Sequence, residues 1–367
     1  MILVLKLIFW LLILLIFYVY FGYPLFLYFL SFFVGRGKIV KADIQPSVSL
    51  IILSTDDKNK IRQKVENCLL LEYPRDKLEI IVVSYDFSDK INEVVSNYYK
   101  RGVKLFYQVE KKNKNVILNN CILQTKGEII VFTDDTSLLD KYSIRNLIRN
   151  FADNKVGLVF GEIRYSNVNT ELIVKGENLF LKWQKLVFTL SGKIKILTSI
   201  NEELFAIRKE LFEEIKETNI PYYIVMPLLI LKKKFKILYE PLAVVNKEIN
   251  INLKENFQCK INKIIQSLYS VKYLKDLVIS FRFLVIIQLV SYNILLNLTG
   301  TFAIISFFLN FLILVKPIYI VLLFLQILFY SAGLLKISYI PFYFSFISLS
   351  SVVAIVHLIK NKTKNFF

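Results

Sequence analysis

GEIIVFTDDTS, residues 127–137, decides the reading of this chain. Five apolar or β-branched positions, Ile129 to Thr133, run straight into two acids, Asp134 and Asp135. A short apolar run closed by polar groups is the pattern of a buried parallel strand. In open α/β sheets ligands bind outside the carboxyl ends of the strands, so the two acids stand where a site is expected. A carboxylate pair at that end suits a divalent cation held against a diphosphate, since Mg²⁺ takes one or two carboxylates together with substrate phosphates. The residue after the pair, Thr136, is not an acid.

Outward from this stretch, strands and helices alternate. SVSLIIL (47–53) and LEIIVVSY (78–85) read as buried strands, VKLFYQV (103–109) and VGLVFGEI (156–163) as two more. Helical periodicity fills the gaps at 58–73, about 88–100, about 114–124 and about 140–152. This rhythm predicts a doubly wound, mostly parallel α/β sheet. The second part reads differently. It has a long helix at 170–190, a strand running into a helix at 203–212, a helix at 220–235, and a strand and turn at 236–245. Residues 252–274 are amphipathic and basic, which suits either a membrane-interface helix or a helix packed on the sheet.

The two ends are different material. Of the 367 residues 55% are apolar, and the excess sits at the termini. Residues 2–34 are interrupted only by Lys6, and are longer than the roughly 20 residues a span requires. They are too long, and lack a clean small-residue cleavage site, for a signal peptide. The apolar runs 278–298, 300–315, 317–336 and 338–359 predict an interfacial helix plus three spans, or four spans. Arg282 and Asn293 favour the interfacial start, because charge in mid-bilayer is costly. The division expected is therefore residues 1–34 as an N-terminal transmembrane helix, 35–276 as a cytoplasmic domain and 277–367 as a C-terminal membrane region. Arg36 and Lys38 flank the first span on its cytoplasmic side, and the basic tail at 360–364 would lie on that side after an even number of C-terminal passes.

The charge of +18 is scattered through the middle domain and beside the spans. A basic face against anionic lipid accounts for it more simply than nucleic acid, which is not expected as a partner. Cys68, Cys121 and Cys259 show no metal-type spacing. The single histidine, His357, lies in the last apolar run, which excludes a Ser-His-Asp triad or a histidine-based zinc site in the middle domain.

The pattern resembles the membrane-bound family 2 glycosyltransferases, whose GT-A type nucleotide-sugar domain lies between spans. YVYFGYPLFLYFL (18–30) resembles the family's first span, and PSVSLIIL (46–53) its opening strand. LEYPRDKLEIIVVSYDFSD (71–89) resembles the segment with a nucleotide-binding acid, and KNKNVILNN (112–120) its Lys-Ala-Gly-Ala-Leu-Asn stretch. TKGEIIVFTDDTS resembles the metal-binding strand; ELFAIRKELF and IVMPLLILKKKFKILYEPLAV resemble the acceptor half. The resemblance implies nucleotide contacts at Asp86, Lys114, Asn119 and Asp134, and Mg²⁺ or Mn²⁺ at Asp134 and Asp135. It also implies a multi-pass protein of the cell (inner) membrane, moving a sugar from a nucleotide-diphosphate donor to a lipid or glycan acceptor at the cytoplasmic face.

Three acids of the family pattern are missing. Tyr85 stands where an Asp is expected, with Asp86 and Asp89 after it, and Thr136 replaces the second acid of Asp-x-Asp. Tyr222 or Tyr223 stands at the catalytic base, where a phenol of ordinary pKa near 10 is a poor base. Glu202, Glu203 and Glu217 are candidates for a relocated base. The Gln-x-x-Arg-Trp motif of processive members is absent; the nearest stretch is QCKINKIIQS (258–267), which tilts towards transfer of a single sugar. Two readings follow: an active membrane glycosyltransferase with a divergent site, or a silent relative that binds donor or serves as a partner subunit. A channel or transporter has less behind it, with only Arg282, Asn293 and Asn297 as intramembrane polar groups.

Overall fold

A computed structural model of the chain describes residues 2–33, 39–54, 57–85, 89–107, 114–166, 171–215, 220–249, 251–273 and 283–364. The chain forms two compact units. One comprises Gly35–Asn167 and Ser191–Glu248; the other comprises Met1–Val34, Val168–Leu190 and Ile249–Phe367. Residues 168–190 and 249–276, which a linear division leaves in the middle domain, therefore cluster with the terminal helices.

The first unit is built on eight strands. These are β1 (Val48–Leu53), β2 (Leu78–Val83), β3 (Val103–Phe106), β4 (Ile129–Asp134), β5 (Ser137–Leu139), β6 (Val156–Tyr165), β7 (Leu204–Arg208) and β8 (Lys236–Lys247). Their order across the sheet is β3-β2-β1-β4-β7-β6-β8-β5. The first four are parallel, with Leu53 beside both Val83 and Asp134, so their carboxyl ends line up. Every residue of β1 is buried, as expected of a strand covered on both faces. β7 runs antiparallel to β4, Thr133 opposite Leu204. That reversal brings the residues preceding β7 to the carboxyl end of β4. β8 is parallel to β6 and antiparallel to β5, placing Lys247 opposite Ser137.

The segment 203–212 is a strand ended by a single 3-10 turn, not a strand running into a helix. The stretch 236–245 is likewise one long strand, whose register against β6 shifts between Phe160 and Glu162 instead of breaking.

Gly127 sets the entry into β4. Its amide donates to Ser49 Oγ at 2.9 Å. A Cβ there would lie 2.4 Å from the backbone nitrogen of Ser49 and 2.7 Å from the carbonyl carbon of Val48. Gly127→Ala is expected to push β4 off β1 and to cost about 3 kcal/mol, the upper range for overpacking. An unchanged thermal midpoint would show that the approach relaxes freely.

Helices α3 (Lys58–Cys68), α4 (Asp89–Ser96), α5 (Lys114–Gln124), α6 (Ser143–Ile148) and α8 (Tyr222–Lys232) belong to this unit. Asp57 caps α3, accepting from the amides of Asn59 and Lys60 at 2.9 and 3.2 Å, an interaction worth about 1 kcal/mol. Ile61, Val65 and Cys68 at helical spacing enter the core with Val48, Leu50 and Val131.

The second unit is helical. Four stretches are long and apolar enough to cross a membrane: Ile2–Phe33, Phe283–Leu312, Pro317–Leu334 and Tyr339–Lys360. The runs read separately as 278–298 and 300–315 thus form one candidate span, continuous through a π-helical segment at Leu289–Leu295. Three candidate C-terminal spans result, not four. Gly300 permits the close approach to the last of them, since a Cβ there would lie 2.5 Å from Ser348 Cα. Two further helices complete the unit: α7 (Leu172–Lys193), all but its last residues, and α9 (Leu253–Tyr273). Trp183 of α7 donates to the carbonyl of Tyr20 at 3.0 Å and stacks on Tyr292. Ile261 and Ile264 of α9 pack with Ala354, and Lys260 pairs with the buried Glu177 at 2.7 Å.

Candidate functional site

The carboxyl end of β4 gathers charged groups from four parts of the chain. Asp134 projects from the strand end with its side chain about a fifth exposed (22%). Its neighbour Asp135 is buried, as alternation along a strand requires. The Asp135 amide donates to the carbonyl of Leu53 at 3.2 Å and ties the strand end to β1.

Asp134 is fully engaged. Oδ2 accepts from Thr136 Oγ1 at 2.6 Å, Oδ1 from Ser137 Oγ at 2.6 Å, and the Lys247 ammonium lies 3.4 Å from Oδ2. The same ammonium forms a closer pair with Glu203, which is buried (3% exposed). Burial alone would raise the Asp134 pKa. Lys247, the contact with Glu203 and the hydroxyls of Ser137 and Thr136 outweigh it and hold the carboxyl well below the usual range.

Beneath the strand end lies a second cation. Lys64 of α3 is completely buried; its ammonium donates to Thr133 Oγ1 at 2.8 Å and to the carbonyl of Ser137 at 2.5 Å. Burial lowers its pKa, against the pull of Cys68, Asp134, Glu203 and Asp135. Sequence reasoning missed both lysines, although each left a signal. Lys64 interrupts the apolar stripe of Ile61, Val65 and Cys68. Lys247 ends an apolar strand, as Asp134 does.

A layer of aromatic rings borders the charges. Phe132 stacks on Phe205 with ring centres 4.6 Å apart, and Tyr222 at the start of α8 lies 5.8 Å from Phe205. Tyr223 meets Tyr222 edge-on at 5.8 Å. Burial first, then Tyr85, Glu202, Asp134 and Tyr223, raise the Tyr222 pKa well above its ordinary value. The phenol therefore stays protonated at neutral pH and does not accept a proton. Glu202, just before β7, is half-buried within electrostatic reach of that phenol.

Of the predicted nucleotide contacts, Lys114 is exposed at the start of α5, its ammonium 4.8 Å from the centre of the Tyr85 ring. Asn119 is used otherwise: its amide donates to the carbonyl of Ile215 and accepts from the Ile215 amide, at 3.1 and 3.3 Å. Asn115, one helical turn earlier, holds the carbonyl of Ile220 at 2.8 Å. Asn119 is thereby a clamp on the chain before α8 and not a donor contact. Asp86 and Glu217 lie outside the described residues, as does the side chain of Asp89.

Among the described residues no three His, Cys, Asp or Glu side chains converge on a point suited to a metal ion. Both oxygens of Asp134 already accept hydroxyl protons, and an ammonium stands where an ion would approach. A divalent ion about 4 Å from that ammonium would be repelled by about 8 kcal/mol at an effective dielectric near 20. Asp134 and Asp135 as arranged do not fit the predicted Mg²⁺ or Mn²⁺.

The comparisons with known proteins agree with this geometry. Residues 49–216 match the model of glycosyl transferase family 2. The mannosyltransferase PcManGT from Pyrobaculum calidifontis, solved in complex with GDP-Man and Mn²⁺, superposes with a TM-score of 0.73 over 98% of this chain and 99% of that one. At 17% identity that is a likeness of fold. The mixed sheet with apolar helices at both ends is thus that of a GT-A type domain. Through it, the chain belongs to glycosyltransferase family 2. The probable glycosyltransferase YdaM of Bacillus subtilis is 26% identical over 181 residues, 46% of this chain and 42% of that protein. A beta-monoglucosyldiacylglycerol synthase of Trichormus variabilis is 25% identical over 138 residues, 36% of this chain and 29% of that protein. The matched region spans less than half the length of either relative.

Proposed function

We propose that the protein is a membrane glycosyltransferase that moves a sugar from a nucleotide-diphosphate donor to a lipid acceptor. One observation carries this reading. A family 2 domain brings Asp134, Glu202, Tyr222 and Lys247 to the carboxyl end of β4, and the same chain holds four membrane-length apolar helices. The relative named as a beta-monoglucosyldiacylglycerol synthase puts diacylglycerol first among acceptors, with a glycan second.

In the reaction an acceptor hydroxyl oxygen bonds to the anomeric carbon of the donor. The bond from that carbon to the diphosphate oxygen breaks and its electron pair leaves with the nucleotide. The hydroxyl proton passes to a base, for which Glu202 is the candidate, since Tyr222 stays protonated and Glu203 is committed to Lys247.

The domain is placed at the cytoplasmic face of the cell membrane on the strength of Arg36 and Lys38 beside the first span. Three C-terminal crossings then carry residues 360–364 to the opposite face, against the expectation from their own charge.

A panel of UDP- and GDP-sugars, offered to the detergent-purified chain with diacylglycerol, tests the reading. Transfer from one donor supports it, and binding of none of them overturns it. A silent partner subunit is the second reading, favoured by the neutral Tyr222 at the family's base position. It predicts donor binding without transfer to any acceptor.

A further inference from the structure

We propose that Lys247 is a built-in cation for the donor diphosphate, standing in place of a divalent ion and making nucleotide binding independent of metal. The inference rests on the reading of the site as a nucleotide-sugar site.

Three features converge on it. Lys247 reaches the carboxyl end of β4, where a ligand of an open α/β sheet binds, because β8 runs antiparallel to β5 with Lys247 opposite Ser137. Its ammonium is fixed there by Glu203 and by Asp134 at 3.4 Å, while a quarter of its side chain (25%) stays exposed. The residue that would complete Asp-x-Asp is Thr136, whose hydroxyl donates to Asp134 at 2.6 Å and occupies an oxygen an ion would need. The loss of the acid and the gain of the ammonium are thus one exchange. Thr136 and Ser137 aim their protons at Asp134, Asp134 and Glu203 aim Lys247, and the ammonium supplies the positive charge.

Chemically the exchange conserves the task. A leaving diphosphate needs its developing charge met by a fixed cation in a site that does not reorganise. An ammonium held by two carboxylates supplies this by charge-assisted hydrogen bonding and stays protonated throughout. Lys64 adds a second fixed positive charge, buried under the same acids.

The test is calorimetric titration of UDP and GDP, and of Mn²⁺ alone, into the full-length protein in detergent. In EDTA and in Mn²⁺ the wild type is expected to bind one nucleotide with affinities within about twofold, and Mn²⁺ alone is expected not to bind. Lys247→Met should weaken the nucleotide by about tenfold or more, the loss of one hydrogen bond to a charged group. Lys247→Arg, which keeps the cation, should retain metal-free binding and shows that any loss in Lys247→Met is not simple misfolding. In the double variant T136D/K247A one Mn²⁺ should bind, and nucleotide affinity should become dependent on it. Wild-type binding that falls tenfold in EDTA, or nucleotide affinity unchanged in Lys247→Met, overturns the inference and leaves the transferase reading standing. Absence of nucleotide binding under every condition overturns both.

Discussion

Lys64→Met is expected to lower the unfolding free energy by about 3 kcal/mol, and the thermal midpoint by roughly 6–12 °C for a domain of this size. The ammonium holds two buried acceptors at once, Thr133 Oγ1 and the carbonyl of Ser137. Methionine fills the volume but leaves both without a donor, at about 1–3 kcal/mol for each buried unsatisfied group. It also strips one of two cations from Asp134, Asp135 and Glu203. The gain on the other side, an ammonium no longer buried, offsets part of this. The pH dependence has a definite sign. Burial holds the Lys64 pKa below its ordinary 10.5, so the folded protein releases this proton at a lower pH than the unfolded chain. Wild-type stability gains from this group as pH rises from the lowered pKa towards 10.5, and Lys64→Met lacks that gain. Thermal unfolding of both proteins at pH 7 and pH 9.5 measures the two effects. Equal midpoints at pH 7 would show that Lys64 is not the anchor of this strand end.

Local pattern made some of this fold legible and left the rest hidden, for a reason that individual residues show. Ile129 to Thr133 announce a buried strand because burial on both faces demands a continuous apolar run. Asp134 announces its end because an acid cannot continue it. These are properties of one segment. The partners of Asp134 are properties of strand order. Nothing in ELFAIRKELF says that it lies antiparallel beside β4, yet this alone brings Glu203 to Asp134. Nothing in KILYEPLAVVNK says that its last residue stands opposite Ser137. Asn119 shows the converse. Its place in a motif suggested a donor contact, while the structure spends its amide on the backbone of Ile215. Motif reading assigns a position; only packing decides whether the side chain is still available. The missing acids were visible at Tyr85, Thr136 and Tyr222, but their meaning was not. The ammonium of Lys247 turns Thr136 from a defect in a metal site into part of a different site.

Glu202→Gln is expected to reduce turnover by about 10²–10⁴-fold, the range for loss of a general base, with nucleotide affinity changed less than twofold. The argument is one of elimination among groups at a single strand end. Tyr222 occupies the family's base position, but burial and its negative neighbours keep the phenol protonated. Glu203 is buried against Lys247 and Asp134, where accepting a proton would break the pair that fixes the ammonium. Asp134 is held as a strongly stabilised carboxylate, with Thr136, Ser137 and Lys247 around it, and has little tendency to take up a proton. Glu202 is half-buried, beside the ring of Tyr222, and reaches the strand end from outside that network. Glutamine keeps its size and removes the acceptor charge, so donor binding should survive while transfer falls. The split between the two measurements is the decisive readout. A variant that loses nucleotide binding and transfer together would make Glu202 a binding residue. A variant with full turnover would move the base beyond Glu202, to an acid of the acceptor or to Asp86 or Glu217. In the latter case exchanging those two acids for amides should produce the loss that Glu202→Gln did not.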